Sequence, residues 1–393
     1  MTEPDCRAES DFDTVVIGGG VVGLCVTWFL AETGAAVLCI DDGREAGSIA
    51  NAGSLHVQMQ SRLIRLFPER LADYQKALPI YPRAVDYWAV IAKELGEDIE
   101  LQIGGGLMVA DSREQLAALE EKCRCERQSG LDTDIVGRQE LLRLAPYLHS
   151  EALGAAHCAK EGKINPLLAN SAIRNKMHDS GGVIWPHCHV ERVEQASRGF
   201  LVTTAAETIR TGRVVIAAGA GSGKLAATLG LYLPTSAEPL HMNITDATDS
   251  FIKHLLQHAE RPITMKQMRS GQVLIGGGWP AGRGRPGGVP EVLRDSLIGN
   301  LRLAQEMVPR VGSLQVTRSW AGINPMVDLL SVLGEIDSLP GVFVAVTGDA
   351  GYTLGPYCAR LLVDRMSGFS SDFPLTDFSP TRFVANDKLT LAT

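Results

Sequence analysis

The chain has 393 residues, of which 45% are hydrophobic and 21% charged, and a formal net charge of -8. This length and composition argue against a disordered chain and predict a large core divided into two domains. The acidic balance argues against broad nucleic-acid binding, which needs clustered Lys and Arg to neutralise phosphates. No apolar run reaches the roughly 20 residues of a membrane helix, and the polar first residues lack a secretory signal, so we expect a cytoplasmic protein.

The cysteines and histidines predict no metal site. None of the eight cysteines forms a CxxC pair, and several lie in apolar segments typical of buried thiols. Cys123 and Cys125 flank one residue of a charged helix and so face in different directions. His187 and His189 share one face of a strand, but two ligands do not make a zinc site. We therefore expect no bound metal.

The first predicted elements form a strand, a glycine turn and a helix. An apolar strand over 14–17 precedes the pattern G-x-G-x-x-G, whose glycines are Gly18, Gly20 and Gly23. These glycines permit, in turn, a tight turn, the approach of a pyrophosphate to the backbone, and close packing of the helix. A second strand over 36–40 ends at Asp41, whose carboxylate can accept hydrogen bonds from a ribose. The unit predicts dinucleotide binding but does not separate NAD from FAD.

Further helices and strands follow in alternation. Helices are predicted over 83–95, from Ser112 to near Gly130, and from the cap Asn165 to Gly181. Strands are predicted over 183–185, 189–193, 200–204 and 214–218. Near the end, GVFVAVTGDAGYTLGP repeats the order of strand, glycine turn and helix without the G-x-G-x-x-G spacing. Its backbone amides at a helix start would still face an electron-rich group.

Four stretches together carry a resemblance to a known superfamily: the first turn, SIANAGS at 48–54, VVIAAGAGS at 214–222, and RSWAGINP with TGDAGYTLGP. They resemble the FAD-dependent amino-acid and amine oxidoreductases of the D-amino-acid oxidase, glycine oxidase and sarcosine oxidase superfamily, over essentially the whole chain. SIANAGSLHVQMQ and LIGGGWPAG are similar to the B (beta) subunits of bacterial opine oxidases or dehydrogenases. The beta subunits of proline and hydroxyproline dehydrogenases are near neighbours.

The resemblance implies an α+β fold with two domains. The first is a Rossmann-like FAD-binding domain of the D-amino-acid oxidase and glycine oxidase type. The second is a substrate domain built on a mostly antiparallel sheet. We predict a discontinuous FAD-binding domain over 11–85, 146–225 and 318–393, and a substrate-binding domain over 86–145 and 226–317.

The resemblance also implies which residues surround FAD. The first glycines would contact the pyrophosphate, Asp41 the adenosine ribose, and the Val190 backbone the adenine. Residues 351–354 would cover the pyrimidine edge of the flavin, where helix-start amides stabilise negative charge. The full predicted set is Gly18, Gly20, Val21, Val22, Gly23, Asp41, Asp42, Ser48, Asn51, Ala52, Gly53, Ser54, Leu55, Val190, Ala218, Gly219, Trp320, Gly322, Gly351, Tyr352, Thr353 and Leu354.

The expected chemistry needs few acids or bases. Oxidation of an amine by flavin requires a neutral amine whose α-hydrogen points at flavin N5, and the imine product is hydrolysed by water. We expect Tyr352 to face the substrate and His56 to lie near the ring, with a packing role for His56 as the alternative.

The sequence departs from its relatives at the position expected to bind the substrate carboxylate. Relatives of the glycine oxidase type carry an arginine in W-A-G-L-R-P, where this chain has Asn324. An asparagine supplies no positive charge, so either another cation binds the carboxylate or the substrate is not a simple amino acid. The candidate cations are Lys266, which we favour, and Arg62, Arg65 and Arg318.

These observations predict an FAD-dependent enzyme that oxidises a secondary amine acid at its C-N bond, with opines of the octopine and nopaline type as first choice. Proline, hydroxyproline, sarcosine and D-amino acids are the alternatives. The opine-type resemblance also implies a heteromeric complex whose other subunits carry further redox centres, since this chain lacks an iron-sulfur cysteine set, and this favours a dehydrogenase over an oxidase. Two other classes stay open: a non-catalytic flavin-binding subunit, which the missing arginine supports, and an NAD-dependent enzyme, in which the C-terminal glycine turn would have no purpose.

Overall fold

The structure is a computed structural model that describes residues 11–44, 47–60, 64, 67–284, 288–371 and 373–386. Within these ranges the helices are α1 (Val21–Glu32), α2 (Leu71–Ala77), α3 (Ile80–Leu95), α4 (Arg113–Gln128), α5 (Arg138–Leu144), α6 (Pro166–Asp179), α7 (Ser222–Thr228), α8 (Arg294–Met307) and α9 (Gly351–Met366). The strands are β1 (Phe12–Ile17), β2 (Val37–Ile40), β3 (Ser54–Leu55), β4 (Gly106–Ala110), β5 (Asp134–Gly137), β6 (Gly154–Cys158), β7 (Gly162–Lys163), β8 (Val183–Trp185), β9 (Val190–Gln195), β10 (Phe200–Thr204), β11 (Thr208–Ile216), β12 (Ser236–Ala247), β13 (Leu255–His258), β14 (Thr264–Gln267), β15 (Gln272–Gly276), β16 (Val316–Met326), β17 (Val332–Glu335) and β18 (Val342–Val346).

The first sheet has a parallel centre in the order β18-β11-β1-β2-β8, with β17 antiparallel at one edge. Strands β9 and β10 form an antiparallel hairpin, and β10 also pairs antiparallel with β11. Strands β2 and β18 are buried at every position. Because both faces of such a parallel strand are covered, its sequence must be apolar throughout, and both strands meet this requirement. The predicted strand over 214–218 is longer than expected and begins at Thr208.

The second sheet has the order β16-β12-β15-β14-β13-β4-β6-β5. All of its pairs are antiparallel except β4 with β13. The predicted fold class, with a Rossmann-like domain and a mostly antiparallel second sheet, is confirmed. The domain boundaries stay a prediction, although β6 and most of β16 belong to the second sheet while falling in ranges predicted for the FAD-binding domain.

Two helix caps follow the sequence signals. The Asn165 side chain accepts hydrogen bonds from the backbone N–H groups of Leu167 and Leu168 at the start of α6. The Ser112 hydroxyl accepts from the backbone N–H of Gln115 at the start of α4. No helix in the described ranges combines the length and the apolar content needed to cross a membrane.

Packing of α9 on α1 brings the two glycine turns together. Strand β18 pairs with β11, which pairs with β1, so the helices that follow β1 and β18 start at the same edge of the sheet. A Cβ atom at Gly355 of α9 would lie 2.9 Å from Cγ1 of Val21 of α1. Glycine therefore permits the close contact between the two helices. The Trp88 indole of α3 fixes the start of α9 by donating to the Tyr352 and Thr353 carbonyl oxygens.

The carboxylate of Asp111, directly after β4 of the second sheet, gives a first testable prediction. Asp111 accepts from His149 and His258 at 2.9 Å, and Arg261 lies 3.0 Å away. Burial raises the pKa of Asp111, but the two histidines outweigh it and lower the pKa from 3.8 to about 2. Because the folded-state pKa is lowered, the carboxylate stabilises the fold above pH 4, and this contribution disappears as the pH falls towards 2.

We expect Asp111→Asn to lower the free energy of unfolding at pH 7 by about 1 to 2 kcal/mol. The difference from wild type should shrink below about pH 4. Urea denaturation at several pH values measures both effects. Asp134→Asn is the control, because Asp134 is 76% exposed and pairs with Arg127 at 3.4 Å. A surface pair of this kind contributes at most about 1 kcal/mol. A pH-independent loss in Asp111→Asn would contradict the prediction.

Candidate active site

The turn between β1 and α1 has the geometry of a dinucleotide-binding turn. Gly18 has φ +114°, and a Cβ there would lie 2.4 Å from the Ala217 carbonyl oxygen. A Cβ at Gly23 would lie 1.8 Å from the Gly18 carbonyl oxygen, so the start of α1 packs directly on the turn. Gly20 is the N-cap of α1 and has no side-chain cap of its own. The helix therefore presents its N-terminus, with Val21 and Val22 in its first turn, where phosphates bind in such folds.

Asp41 lies beside this turn at the end of β2. Its carboxylate accepts from the Gly19 N–H at 3.3 Å. Its carbonyl oxygen accepts from Cys188 N at 2.8 Å, which brings the loop before Val190 next to β2. Asp42 instead pairs with Arg44 at 2.8 Å and is partly exposed. The geometry of Asp41 is compatible with ribose binding, and the contacts predicted for Asp41, Asp42 and Val190 stay predictions.

The stretch over 48–55 runs from the glycine turn to a deep cavity. The Ser48 hydroxyl accepts from Val21 N at 2.9 Å, and the Trp320 indole donates to the Ala50 carbonyl oxygen at 2.9 Å. The Asn51 side chain accepts from Gly53 N at 2.7 Å. Gly53 has φ +67°, and a Cβ there would lie 2.2 Å from the Ile164 carbonyl oxygen. Any larger residue at 53 would displace this stretch.

The cavity lies between this stretch, the second sheet and the C-terminal glycine turn. It brings together seven of the predicted residues: Asn51, Ala52, Ser54, His56, Gly322, Tyr352 and Thr353. Other described lining residues are Gly47, Ala50, Gln60, Leu240, Met242, Gln257, Pro262, Ile263, Thr264, Gly277, Gly278, Ile323, Asn324, Asp349 and Ala350. Leu55 and Leu354 do not line the cavity and are buried in the apolar core. Gly219, which follows Ala218 in the turn after β11, has φ +54°.

Lys266 is close to the cavity but does not line it. Its side chain is fully buried, and its ammonium group donates to the Ser54 hydroxyl at 2.5 Å. Burial lowers the pKa of Lys266 well below its usual value, and the charge of Lys163 lowers it further. Lys163 is also buried and donates to the Gln267 carbonyl oxygen. Among the described residues, neither lysine has a carboxylate partner within ion-pair distance.

Of the other candidate cations, the structure describes Arg318 alone, and Arg318 does not line the cavity. Arg318 is exposed and stacks on the Trp320 ring, 5.5 Å from its centre. Arg62 and Arg65 lie outside the described residues. Asn324 lines the cavity and donates to the Asp349 carboxylate. The only formally charged Asp, Glu, Lys or Arg side chain among the described lining residues is therefore an acid, which the sequence did not predict.

Tyr352 lines the cavity, but its hydroxyl is directed to the Pro166 carbonyl oxygen, which does not line it. The hydroxyl donates to the Pro166 carbonyl oxygen at 3.1 Å, and the ring stacks on Trp88 at 5.5 Å. Burial raises the pKa of Tyr352 well above its usual value. Thr353 accepts from His56 N at 3.1 Å and donates to the Ser54 carbonyl oxygen at 3.3 Å. The described contacts thus give Tyr352 and Thr353 clear structural roles, and a role of Tyr352 towards the substrate stays a prediction.

A buried polar network behind His56 was missed by sequence analysis. Glu161 accepts from Val57 N and Gln58 N, and Lys122 contacts both Gln58 and Glu126. A buried Glu and a solvated Glu look alike in sequence, so only the pairing of β3 with β7 reveals this arrangement.

The residues present fit FAD. The first turn offers a cradle that side chains would fill at Gly18 and Gly23, the acid at the end of β2 lies beside it, and a stretch of small residues leads to the cavity. The C-terminal turn, with Gly348 at φ +72°, places the start of α9 against the same cavity. Such a site suits a long molecule with a pyrophosphate at one end and a flat ring at the other.

Comparisons with known proteins agree with this geometry. A family model described as "FAD dependent oxidoreductase" (DAO) matches residues 13–365. The B subunit of opine oxidase from Rhizobium meliloti is 25% identical over 95% of this chain and 98% of its own length. Its counterpart from Agrobacterium tumefaciens (strain Ach5) is 27% identical over 95% of this chain and 98% of its own.

Solved structures show the same fold. The crystal structure of glycine oxidase from Geobacillus kaustophilus superimposes with a TM-score of 0.82 at 24% identity, covering 95% of this chain and 99% of that one. L-proline dehydrogenase from P.horikoshii gives a TM-score of 0.82 at 20% identity, covering 96% and 99%. The family match, the glycine turn and the cavity lead to one conclusion: the chain belongs to the DAO family of FAD-dependent oxidoreductases, and FAD is its cofactor.

Proposed function

We propose that this protein oxidises a secondary amine acid at its C-N bond by hydride transfer to flavin N5, and that its substrates are opines of the octopine or nopaline type. One observation carries the proposal: one cavity that faces the second sheet is lined from both glycine-rich segments, by Ala50, Asn51, Ala52, Ser54 and His56 and by Asp349, Ala350, Tyr352 and Thr353. This arrangement provides a place for the flavin ring beside a place for a substrate. The similarity to the B subunits of two opine oxidases along 95% of the chain supports the choice of substrate.

FAD, when bound, would accept the hydride, and the chain's own residues would position the amine and stabilise charge. The Ser54 hydroxyl, held by Lys266, lies on the cavity wall. Lys266 has no carboxylate partner among the described residues, so a proton on its buried amine would balance negative charge on a reduced flavin bound in the cavity. We propose this role for Lys266, in place of the predicted contact with the substrate carboxylate, because its ammonium group ends at Ser54 behind the wall.

The acidic wall formed with Asn324 supports a substrate other than a simple amino acid. Where glycine oxidase relatives carry an arginine, this chain places an amide bonded to Asp349. Asparagine gives no charge complementarity to an α-carboxylate. Octopine and nopaline carry α-carboxylates too, so Asn324 does not separate them from the other candidates. Proline-type imino acids, sarcosine and D-amino acids are second candidates because two of the relatives are subunits of opine oxidases. A non-catalytic flavin-binding subunit is the alternative of another class, and the same Asn324 supports it.

We also propose that the chain works inside a heteromeric complex as a dehydrogenase in the cytoplasm. The names of the relatives in Rhizobium and Agrobacterium describe one subunit of a larger oxidase. The beta subunit of sarcosine oxidase from Arthrobacter sp is 22% identical over 96% of this chain. Other subunits would then accept the electrons from the flavin.

The test is anaerobic reduction of the flavin-loaded protein, alone and with any subunits that co-purify. We expect octopine or nopaline to bleach the flavin absorption band, and proline and sarcosine to do so more slowly. Arginine with pyruvate is the matched control, since this pair lacks the secondary C-N bond. A protein that every amine acid leaves yellow, but that dithionite bleaches, would be a flavin-binding subunit without this activity.

A further inference from the structure

His56 is the only imidazole among the described residues that line the cavity. Its side chain is 13% exposed, and its backbone N–H donates to the Thr353 hydroxyl at 3.1 Å. Its Nδ1 atom lies 3.8 Å from Oε1 of Glu161. Among the described residues, this buried Nδ1 atom has no hydrogen-bond partner. The ring thus has an acid behind it and the cavity in front of it.

The carboxylate of Glu161 is buried, accepts three hydrogen bonds and packs against a glycine. Its Oε1 accepts from Val57 N at 2.9 Å and Gln58 N at 3.0 Å, and its Oε2 accepts from the Gln58 side-chain amide at 3.0 Å. A Cβ at Gly106 would lie 1.8 Å from Oε2, so only glycine fits beside this acid. The carboxylate is completely buried, which costs several kcal/mol unless charge or hydrogen bonds compensate.

Lys122, the lysine of this network, already forms an ion pair with another carboxylate. Lys122 lies 2.8 Å from Glu126 and donates to the Gln58 side-chain oxygen at 3.0 Å. Glu126 also accepts from Met59 N at 2.6 Å. In the described part of the chain, no Lys or Arg nitrogen is within ion-pair distance of Glu161. Among the described residues Lys122 is paired with Glu126, so the charge of Glu161 is left for a proton on His56 to balance.

The pKa of Glu161 agrees with this geometry. Burial raises it, but His56 and the N–H groups of Val57 and Gln58 outweigh burial and leave the pKa below its usual value. The other charged groups near the cavity are Lys122 and Glu126 on α4, Lys163 and Lys266 on the Ser54 side, and Asp349 on the C-terminal turn.

We propose that His56 is the proton acceptor for the substrate amine and that Glu161 is the residue that positions and supports it. The inference rests on the proposed function. A secondary amine is mostly protonated at neutral pH, and it must lose that proton before its carbon can give up a hydride. The proton would pass from the ammonium nitrogen to His56 Nε2, and the freed lone pair would form the C=N bond as the α-hydrogen leaves with its two electrons, for which bound FAD would be the acceptor. Because His56 borders an open cavity, the proton then passes to water.

The test measures the pH dependence of anaerobic flavin reduction in rapid mixing. In the plot of the wild-type reduction rate against pH we expect an acid limb, which is a range of low pH where flavin reduction slows as His56 becomes protonated. Glu161→Gln removes the charge and should move this limb to lower pH by about one unit. It should also slow reduction at high pH by about 10-fold or more. His56→Asn should remove the limb and slow reduction by about 10²-fold. Glu161→Asp keeps the charge and should keep the limb, which covers the case in which the amide variant fails to fold.

Glu126→Gln is the matched control, since Glu126 is equally buried and also accepts a backbone N–H of the same segment without contacting His56. We expect it to lose stability but to move the limb by less than about half a unit. A second readout does not depend on turnover: in ¹⁵N-histidine spectra, the His56 imidazole should titrate at lower pH in Glu161→Gln than in wild type. An equal titration, or an unmoved limb with normal reduction, overturns the inference. If no amine acid reduces the wild type, the proposed function fails instead.

Discussion

Replacement of Gly23 by alanine is expected to yield a protein that purifies without flavin. The added Cβ would lie 1.8 Å from the Gly18 carbonyl oxygen, and both atoms belong to the backbone. No side-chain rotation relieves the clash, so α1 must move away from the turn and its first amides leave the position that a pyrophosphate needs. We expect the free energy of unfolding to fall by about 2 to 4 kcal/mol. The ratio of flavin to protein absorbance and urea denaturation measure the two losses.

Gly137→Ala is the control for this prediction. Gly137 is the N-cap of α5 with φ −73°, and a Cβ there would meet no atom within 4 Å. We expect a loss of at most about 1 kcal/mol and full flavin content. Normal flavin binding in Gly23→Ala would show that the turn does not hold the pyrophosphate, and the assignment of the first turn would have to be abandoned.

Lys266→Met is expected to make the protein more stable and its flavin harder to reduce. The ammonium group is buried with one hydroxyl as its hydrogen-bond partner, so methionine of similar shape removes a desolvation cost of about 1 to 3 kcal/mol. The same change removes the amine whose proton would balance negative charge on the reduced flavin, and we expect anaerobic reduction to slow by on the order of 10²-fold. Thermal denaturation and stopped-flow reduction of one preparation measure both effects.

The pH dependence of stability provides a further check on Lys266. Its folded-state pKa is lowered, so the unfolded chain binds more protons, and wild-type stability should rise as the pH increases towards the unfolded value near 10.5. This slope should be smaller in Lys266→Met. Lys163→Met is the matched control, because Lys163 is buried but donates to the Gln267 carbonyl oxygen. It should stabilise similarly and slow reduction much less; a Lys266 variant that reduces at the wild-type rate would remove its proposed role.

Local patterns predicted the secondary structure around the first glycine turn well. The strand before Gly18, the helix after Gly23 and the acid after β2 each depend on neighbours within a few residues, and the structure confirms all three elements. The cap at Asn165 was equally visible, since a cap is made by the side chain and amides two and three residues later.

The substrate end was less predictable because distant residues build it. Asn324 meets Asp349 only after β16 and the C-terminal turn are assembled, and Glu161 meets Gln58 only when β3 pairs with β7. Lys266 shows the same limit: alternation along β14 places it on the face of Thr264, which lines the cavity, but the length of its side chain carries the charge to Ser54 instead. No spacing in the sequence reports where a long side chain ends.

The contact between α1 and α9 has a consequence for biosynthesis. Residues 342–366 leave the ribosome after every other strand of both sheets, yet β18 completes the parallel centre and Gly355 packs on Val21. A nascent polypeptide that has exposed its N-terminal βαβ unit therefore lacks a wall of the ring pocket until residues 342–366 have emerged. We expect FAD to bind only after residues 342–366 have emerged, and the unpaired edge of β11 is exposed to aggregation until then.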